Sequence, residues 1–196
     1  MTEPLDRHAL DQLFYTARTF KRWQPRDVSD ELLHRVIDLM RMGPTSANSS
    51  PARIVFVKSA EQKARLIPCL NEGNREQTQA APVTAIIGYD LEFHEHLPRL
   101  YPYADARSWY AGKPKAIEAV AVKNSSLQGA YLILAARALG LDCGPMGGFD
   151  SEAVDQTFFS GTEVKSNFLC NLGFGDRSAL HSRSPRFTFD EMARII

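Results

Sequence analysis

LQGAYLILAARALG, from Leu127 to Gly140, is the stretch that decides the architecture. Its apolar residues fall on nearly every side of a 3.6-residue repeat. That predicts a buried central helix rather than a helix lying on a surface. The helix reads back to about Lys115 and stops at Gly140. Two helices precede any strand. One covers roughly Asp6 to Ala17, with Leu10, Leu13, Phe14 and Ala17 at helical spacing. The other follows the N-cap Ser29, carries the stripe Leu32, Leu33, Val36, Ile37 and Met40, and ends at Gly43-Pro44. RIVFVK (Arg53 to Lys58), VTAIIGY after Pro82 and NFLCNLGFG (Asn167 to Gly175) read as β-branched or apolar strands. Ser59 to Gln62 is a capping box opening a helix through Leu70, a short helix starts at Ser151, and Thr188 and Glu191 box a terminal helix. Helices that outnumber strands and precede them predict a layered α+β fold, not a doubly wound one.

The chain has 196 residues, 44% hydrophobic and 23% charged, which suits a single globular domain over 1–196. Lys plus Arg equals Asp plus Glu at 23 each, so no basic excess points to nucleic acid or to an anionic membrane. No apolar run approaches the ~20 residues of a membrane helix, and MTEPLDRHAL lacks the order of a signal peptide. Cys69, Cys143 and Cys170 are widely spaced without a C-x-x-C pair, as in reduced core thiols of a cytoplasmic protein.

Four segments could carry chemistry. ARTFKRW supplies Arg18, Thr19, Lys21 and Arg22, and HSRSPR supplies Arg183, Ser184 and Arg186. A phosphate dianion wants forked Arg donors, a Lys charge, hydroxyls and free backbone N–H groups. Either run alone is also what a solvated basic face looks like. GPTSANSSPAR (Gly43 to Arg53) packs Thr45, Ser46, Asn48, Ser49 and Ser50 before a strand, more short donors and acceptors than a helix stop requires. CGPMGGFD (Cys143 to Asp150) reads as a turn whose Gly144, Gly147 and Gly148 let backbone approach a flat ligand. Leu91 to Pro114 shows no period, with Pro98, Pro102 and Pro114 among aromatics, and reads as a binding loop or lid.

Several chemistries are missing. GFGDRS lacks the third glycine of a dinucleotide fingerprint, no G-K-[ST] phosphate loop occurs, and no G-x-S-x-G elbow marks a hydrolase. His94 and His96 stand two apart in a charged loop without nearby Cys, so no metal site is expected. No nucleophile–base pair stands out, and a cofactor is expected to carry the reaction.

Arg18-Thr19-x-Lys21 after a first helix, Pro44-Thr45-Ser46-x-Asn48 before the first strand, an alanine-rich helix ending in ALGL, GPMGGF, LGFG and the late basic pair resemble, in that order, the nitroreductase family. Within it, GPTSANSSPARIVF, APVTAI, DARSW and KSNFLCNLGFGD are similar to the subgroup of malonic semialdehyde reductases of bacterial pyrimidine utilisation. The resemblance implies an α+β sandwich with an antiparallel central sheet flanked by helices, and a homodimer with two FMN at its interface. It implies hydride transfer from NADH or NADPH to a small carbonyl, quinone or nitro acceptor, with no catalytic side chain named. It also implies roles for single residues. Arg18, Thr19, Lys21 and Arg186 would hold the phosphate, with Arg183 nearby. Pro44, Ser46 and Asn48 would reach the flavin from the partner chain. Pro145, Met146, Gly147 and Gly148 would line the ring, with Asn74 at its polar edge. Gly147 departs from the family, many of whose members carry Glu there. A carboxylate acceptor would need a cation near the ring, for which Arg107 is the first choice and Arg53 the second. A broad nitroaromatic or quinone reductase and a non-catalytic flavin-binding or redox-sensing protein are the alternatives.

Overall fold

The computed structural model describes residues 3–196, so that Met1 and Thr2 of the MTEPLDRHAL stretch lie outside the described residues. In chain order the main elements are α1 (Arg7–Leu10), α2 (Asp30–Met40), β1 (Ala52–Val57), α3 (Ala60–Leu66), α4 (Glu72–Ala80), β2 (Val83–Asp90), α5 (Leu97–Leu100), α6 (Pro114–Ala138), β3 (Asp142–Met146), α7 (Ser151–Phe158), β4 (Val164–Gly173) and α8 (Phe189–Met192). The four strands form one sheet in the order β1-β2-β4-β3, every neighbour antiparallel. The layered α+β reading and its antiparallel sheet are what the chain adopts.

Period-two alternation sorts the strands between two cores. Val83, Ala85 and Ile87 of β2, with Cys170 and Leu172 of β4, join Leu33, Val36 and Met40 of α2 and Leu132 and Ala136 of α6 on one face. Ile86 and Leu169 point the other way, to Leu66, Val154 and Phe159. Thr84 also faces this second side, and its hydroxyl donates to Asn171 at 2.7 Å, while Asn171 donates to Thr78 of α4 at 3.3 Å. A third cluster gathers Phe93, Leu97, Ala106, Tyr110 and Ala121 under the segment between β2 and α6.

Several boundaries follow their caps. Ser29 accepts from Leu32 N and Ser59 from Gln62 N, each opening its helix. Gln62 does not return the bond to its cap; its Oε1 takes Arg65 instead. α3 stops at Leu66 because Pro68 turns the next residues into a 3₁₀ turn, Ile67–Cys69, and not at Leu70. The first helix ends before Ala17, passing from α1 into a π-helical turn, Asp11–Tyr15. Leu91 to Pro114 is not structureless: it contains α5 and two 3₁₀ turns, Phe93–His96 and Arg107–Tyr110.

Two expectations are overturned. The Gly-rich segment read as a turn is a strand up to Met146; as the last strand of the sheet, β3 tolerates Pro145 without an N–H. The central helix is also not buried all round. α6 turns Asn124, Ser125 and Gln128 inward, while Leu127 and Tyr131 stay 46% and 38% exposed. Its sheet-facing side mixes these polar residues with Leu132, Ala135 and Ala136, and part of its apolar surface faces out.

Candidate functional site

The segment carrying Arg18, Thr19 and Lys21 is pinned to the outer edge of β3. Thr19 forms a bridge with Cys143, and Phe20 N donates to Cys143 O at 3.0 Å. Phe20 is fully buried, an anchor worth about 1.5–3 kcal/mol for a side chain of this size. Its ring fits only because position 175 is Gly, where a Cβ would lie 2.1 Å from it. Gly144 serves the same approach, since a Cβ there would stand 2.5 Å from Phe20 O. Trp23 adds a second anchor through Nε1 to Gln77 O at 3.1 Å. Between the anchors Lys21 and Arg22 stay exposed.

The late basic run folds back onto this segment. Arg18 Nη2 donates to His181 O at 2.5 Å. Arg183 Nη2 donates to Tyr15 O and Ala17 O at 2.8 and 2.7 Å, and Arg137 Nη1 takes Leu13 O at 3.1 Å. The π-helical turn leaves these carbonyls without their usual partners, and guanidinium groups satisfy them. The result is a cleft of about 860 Å³ walled by Arg18, Lys21, Arg183 and Arg186. Its carboxylates are already engaged: Glu76 pairs with Arg22 at 2.6 Å, and Asp176 accepts from Ser178. Arg186 donates to the carbonyls of Ser184 and Pro185. Among the described residues no carboxylate pairs with Arg18, Lys21 or Arg186, which leaves the cleft ready for an anion.

α4 joins this cleft to the Gly-rich segment. Gly73, Glu76 and Gln77 wall the cleft, and Asn74 Nδ2 donates to Gly148 O at 2.8 Å while its Oδ1 accepts from Gln77 Nε2 at 2.6 Å. Gly148 is required by that contact, because a Cβ would meet Asn74 Nδ2 at 2.6 Å. Met146 receives the Thr78 hydroxyl at 3.7 Å, and Pro145 precedes it on β3. Gly147 differs from its neighbours: a Cβ there meets nothing within 4 Å. Backbone at 147 is open to an approaching group.

The remaining residues gather elsewhere. Pro44, Ser46 and Asn48 lie at the start of β1, where Ser46 N donates to Asn124 Oδ1 and Asn48 Nδ2 to Leu100 O, both at 2.8 Å. Arg53 donates to Asp90 at 2.5 Å and to the carbonyls of Ser50 and Ala52, so it ties this turn to the sheet. Arg107 pairs with Glu95 at 2.8 Å rather than with Asp105, which caps Ser108 instead. Asn124 beside Ser46 and Arg137 beside the cleft are thirteen residues apart on α6, about 20 Å of helix at 1.5 Å per residue. One chain therefore does not bring the polar turn to the basic cleft.

The Nitroreductase family model matches residues 15–175, from the π-helical turn through the glycine that seats Phe20. The chain belongs to the nitroreductase family. It is 67% identical over 95% of its length, and 96% of the other chain, to a Burkholderia lata protein provisionally named NADH dehydrogenase/NAD(P)H nitroreductase. It is 58% identical to a Ralstonia nicotianae protein of the same provisional name, covering 98% of each. A nitroreductase-like protein from Exiguobacterium sibiricum, solved in complex with FMN, superposes with a TM-score of 0.87 at 20% identity, covering 100% of both chains. One from Bacillus subtilis gives 0.89 at 18% identity, covering 97% of this chain and 100% of that one.

Three contributors escaped the sequence reading. α4, EGNREQTQA, has no apolar stripe because it packs through Gln77 and Thr78. Arg137 looks like the basic last turn of a helix, yet it caps Leu13. Asn124 did leave a signal: polar residues at 124, 125 and 128 in an otherwise apolar helix require buried partners. Among the described residues no three His, Cys, Asp or Glu side chains converge as metal ligands, and no helix is long and apolar enough to cross a membrane.

Proposed function

We propose that this member of the nitroreductase family is an FMN-dependent NAD(P)H oxidoreductase, one unit over residues 1–196, working as a cytoplasmic homodimer that reduces malonic semialdehyde to 3-hydroxypropionate. The meeting of two distant basic runs on one cleft, with Arg18, Lys21 and Arg186 unpaired to any carboxylate, carries the reading. A phosphate dianion fits that donor set, with Thr19 as a hydroxyl partner. The open backbone at Gly147 and the nearby amide of Asn74 would face the flat heterocycle of the same ligand. FMN bound there supplies hydride transfer from NAD(P)H to the acceptor in a ping-pong sequence. The protein holds the phosphate, orients the ring through Pro145, Met146, Gly147 and Gly148, and excludes water.

Two observations support the homodimer. The outward face of α6, with Val122, Leu127 and Tyr131, is apolar and uncovered, as an interface requires. The polar turn with Pro44, Ser46 and Asn48 lies too far along α6 to serve its own chain's cleft, and a second copy brings it there.

Arg107, or Arg53 behind it, would receive the substrate carboxylate. Arg107 lies in a half-exposed pair with Glu95, side chains 56% and 42% exposed. Such a pair is worth about 0–1 kcal/mol, so an incoming carboxylate can displace it. The same occupation of Arg107 favours a second reading, a broad nitroaromatic or quinone reductase, which needs no cation. The name carried by the Burkholderia lata and Ralstonia nicotianae relatives agrees with that reading.

The absorbance spectrum of purified protein tests the cofactor, with oxidised-flavin bands expected. Colourless protein that does not quench added FMN overturns it. NAD(P)H oxidation with malonic semialdehyde, menadione and nitrofurazone then separates the acceptors. A clear preference for the semialdehyde is expected, equal rates favour the broad reductase, and flavin without turnover favours a binding protein.

A further inference from the structure

The turn that carries Ser46 and Asn48 is strained and is held partly from outside. Ala47, Asn48 and Ser50 all lie in the left-handed region, with φ of 49°, 50° and 41°. Non-glycine residues stay there only where the surroundings over-determine them. Ser49 between them is fully buried, and its hydroxyl has no partner. Inside the turn Asn48 N and Ser49 N donate to Thr45 O and Ser46 O, both at 3.0 Å, and Thr45 Oγ1 accepts from Ser50 N at 3.1 Å. From outside, Leu100 O holds the Asn48 amide and Arg53 holds Ser50 O, while α6 holds the backbone N–H groups on either side of the strained residues. Asn124 Oδ1 accepts from Ser46 N and Gln128 Oε1 accepts from Ala52 N, both at 2.8 Å, so two amides grip the turn at its two ends. Asn124 is fully buried, and its Nδ2 is fixed by Val120 O at 2.8 Å. A buried amide facing a core is costly unless paired, and here both of its ends are.

We propose that Asn124 is the positioning residue of the flavin site: it sets the backbone of Ser46 and thereby the strained turn presented to the second copy. This rests on the reading that the turn reaches the flavin. It assigns the inward polar face of α6 a role in ligand geometry and not in packing alone. A leucine would fill the same space while leaving Ser46 N without its partner, and the turn would lose one of the bonds that hold it in the left-handed region.

The test compares wild type with Asn124→Ala by fluorescence titration with FMN and with riboflavin, and by visible circular dichroism of the bound flavin. The turn belongs to the ring end of the ligand, so both dissociation constants should rise by the same factor, about five- to tenfold, and the dichroism bands should change. Arg18→Ala should instead weaken FMN and spare riboflavin. Asn124→Asp keeps an oxygen at the Oδ1 position and should recover most of the affinity. Folded Asn124→Ala with wild-type constants and dichroism overturns the proposal, as does a loss confined to FMN. If Asn124→Ala does not fold, Asn124→Ser, too short to reach Ser46 N, is held to the same outcomes. Wild-type protein that binds neither flavin overturns the cofactor reading itself, and this inference with it.

Discussion

Arg18 reaches across 163 positions of sequence to donate to the carbonyl of His181, and Arg183 answers by capping Tyr15 and Ala17. The two walls of the basic cleft thus hold each other in place. Arg183→Ala is expected to weaken FMN binding although its bonded nitrogen is spent on carbonyls, because residues 181–186 lose their seat. The expected loss is about five- to tenfold, against about ten- to a hundredfold for Arg18→Ala, a direct charge-assisted donor. Fluorescence titration measures both. Wild-type affinity in Arg183→Ala would mean that the late run is seated by other contacts.

Gly144 and Gly147 stand three residues apart and should behave oppositely. Gly144→Ala drives a Cβ to 2.5 Å from Phe20 O, and backbone must move. A cost of about 1–3 kcal/mol in urea unfolding is expected, as for other overpacked sites. Gly147→Ala meets open space and should stay within about 0.5 kcal/mol of wild type. Similar losses at both positions would show that the edge strand is not packed as described.

Ala47→Gly should break the usual rule that glycine destabilises. Alanine at φ 49° carries a left-handed penalty of about 1–2 kcal/mol, which glycine escapes. Against it stands the extra freedom of glycine in the unfolded chain, about 0.5–1 kcal/mol. The net effect on unfolding free energy should be close to zero or stabilising. At Ala130, exposed on α6, the same change should cost about 1 kcal/mol. Equal costs at the two positions would remove the strain from the account.

Local chemistry was legible where one residue decides the outcome. Ser29, Ser59 and the Thr188–Glu191 box open the helices expected of them. The two basic runs, each ambiguous alone, meet on one cleft. What could not be read depends on partners remote in sequence. α4 replaces an apolar stripe with hydrogen bonds from Asn74, Gln77 and Thr78, so periodicity is silent. β3 contains Gly and Pro and looks like a turn until the sheet leaves it an edge position. α6 reads as buried on all sides because hydropathy cannot tell an apolar face covered by the sheet from one left exposed.

That outward face gives a further expectation. Leu127→Glu with Tyr131→Glu places two charges on an uncovered apolar surface, which a monomer tolerates and a dimer interface does not. Light scattering at micromolar protein should show a dimer for wild type and a monomer for the variant, with flavin lost as well. A variant that stays dimeric would place the interface elsewhere.

The three cysteines are free and buried. The hydrogen bond with Cys143, then burial, pushes the Cys170 thiol well above its ordinary range, so it stays protonated where a model thiol ionises. All three are shut away from solvent, so thiol reagents at about pH 8 should leave the native protein untouched. All three should react in concentrated guanidinium chloride. Fast labelling of Cys170 in the native state would contradict its environment.

The length of α6 between Asn124 and Arg137 also has a genetic consequence. On the shared-site reading each chain gives its basic cleft to one site and its polar turn to the other. A chain damaged at Arg18 and a chain damaged at Asn48 are each inactive alone. Paired as a heterodimer, they concentrate both defects in one site and leave the other whole. Two null alleles of this gene, expressed together, should therefore complement one another, whereas two alleles damaged on the same wall should not.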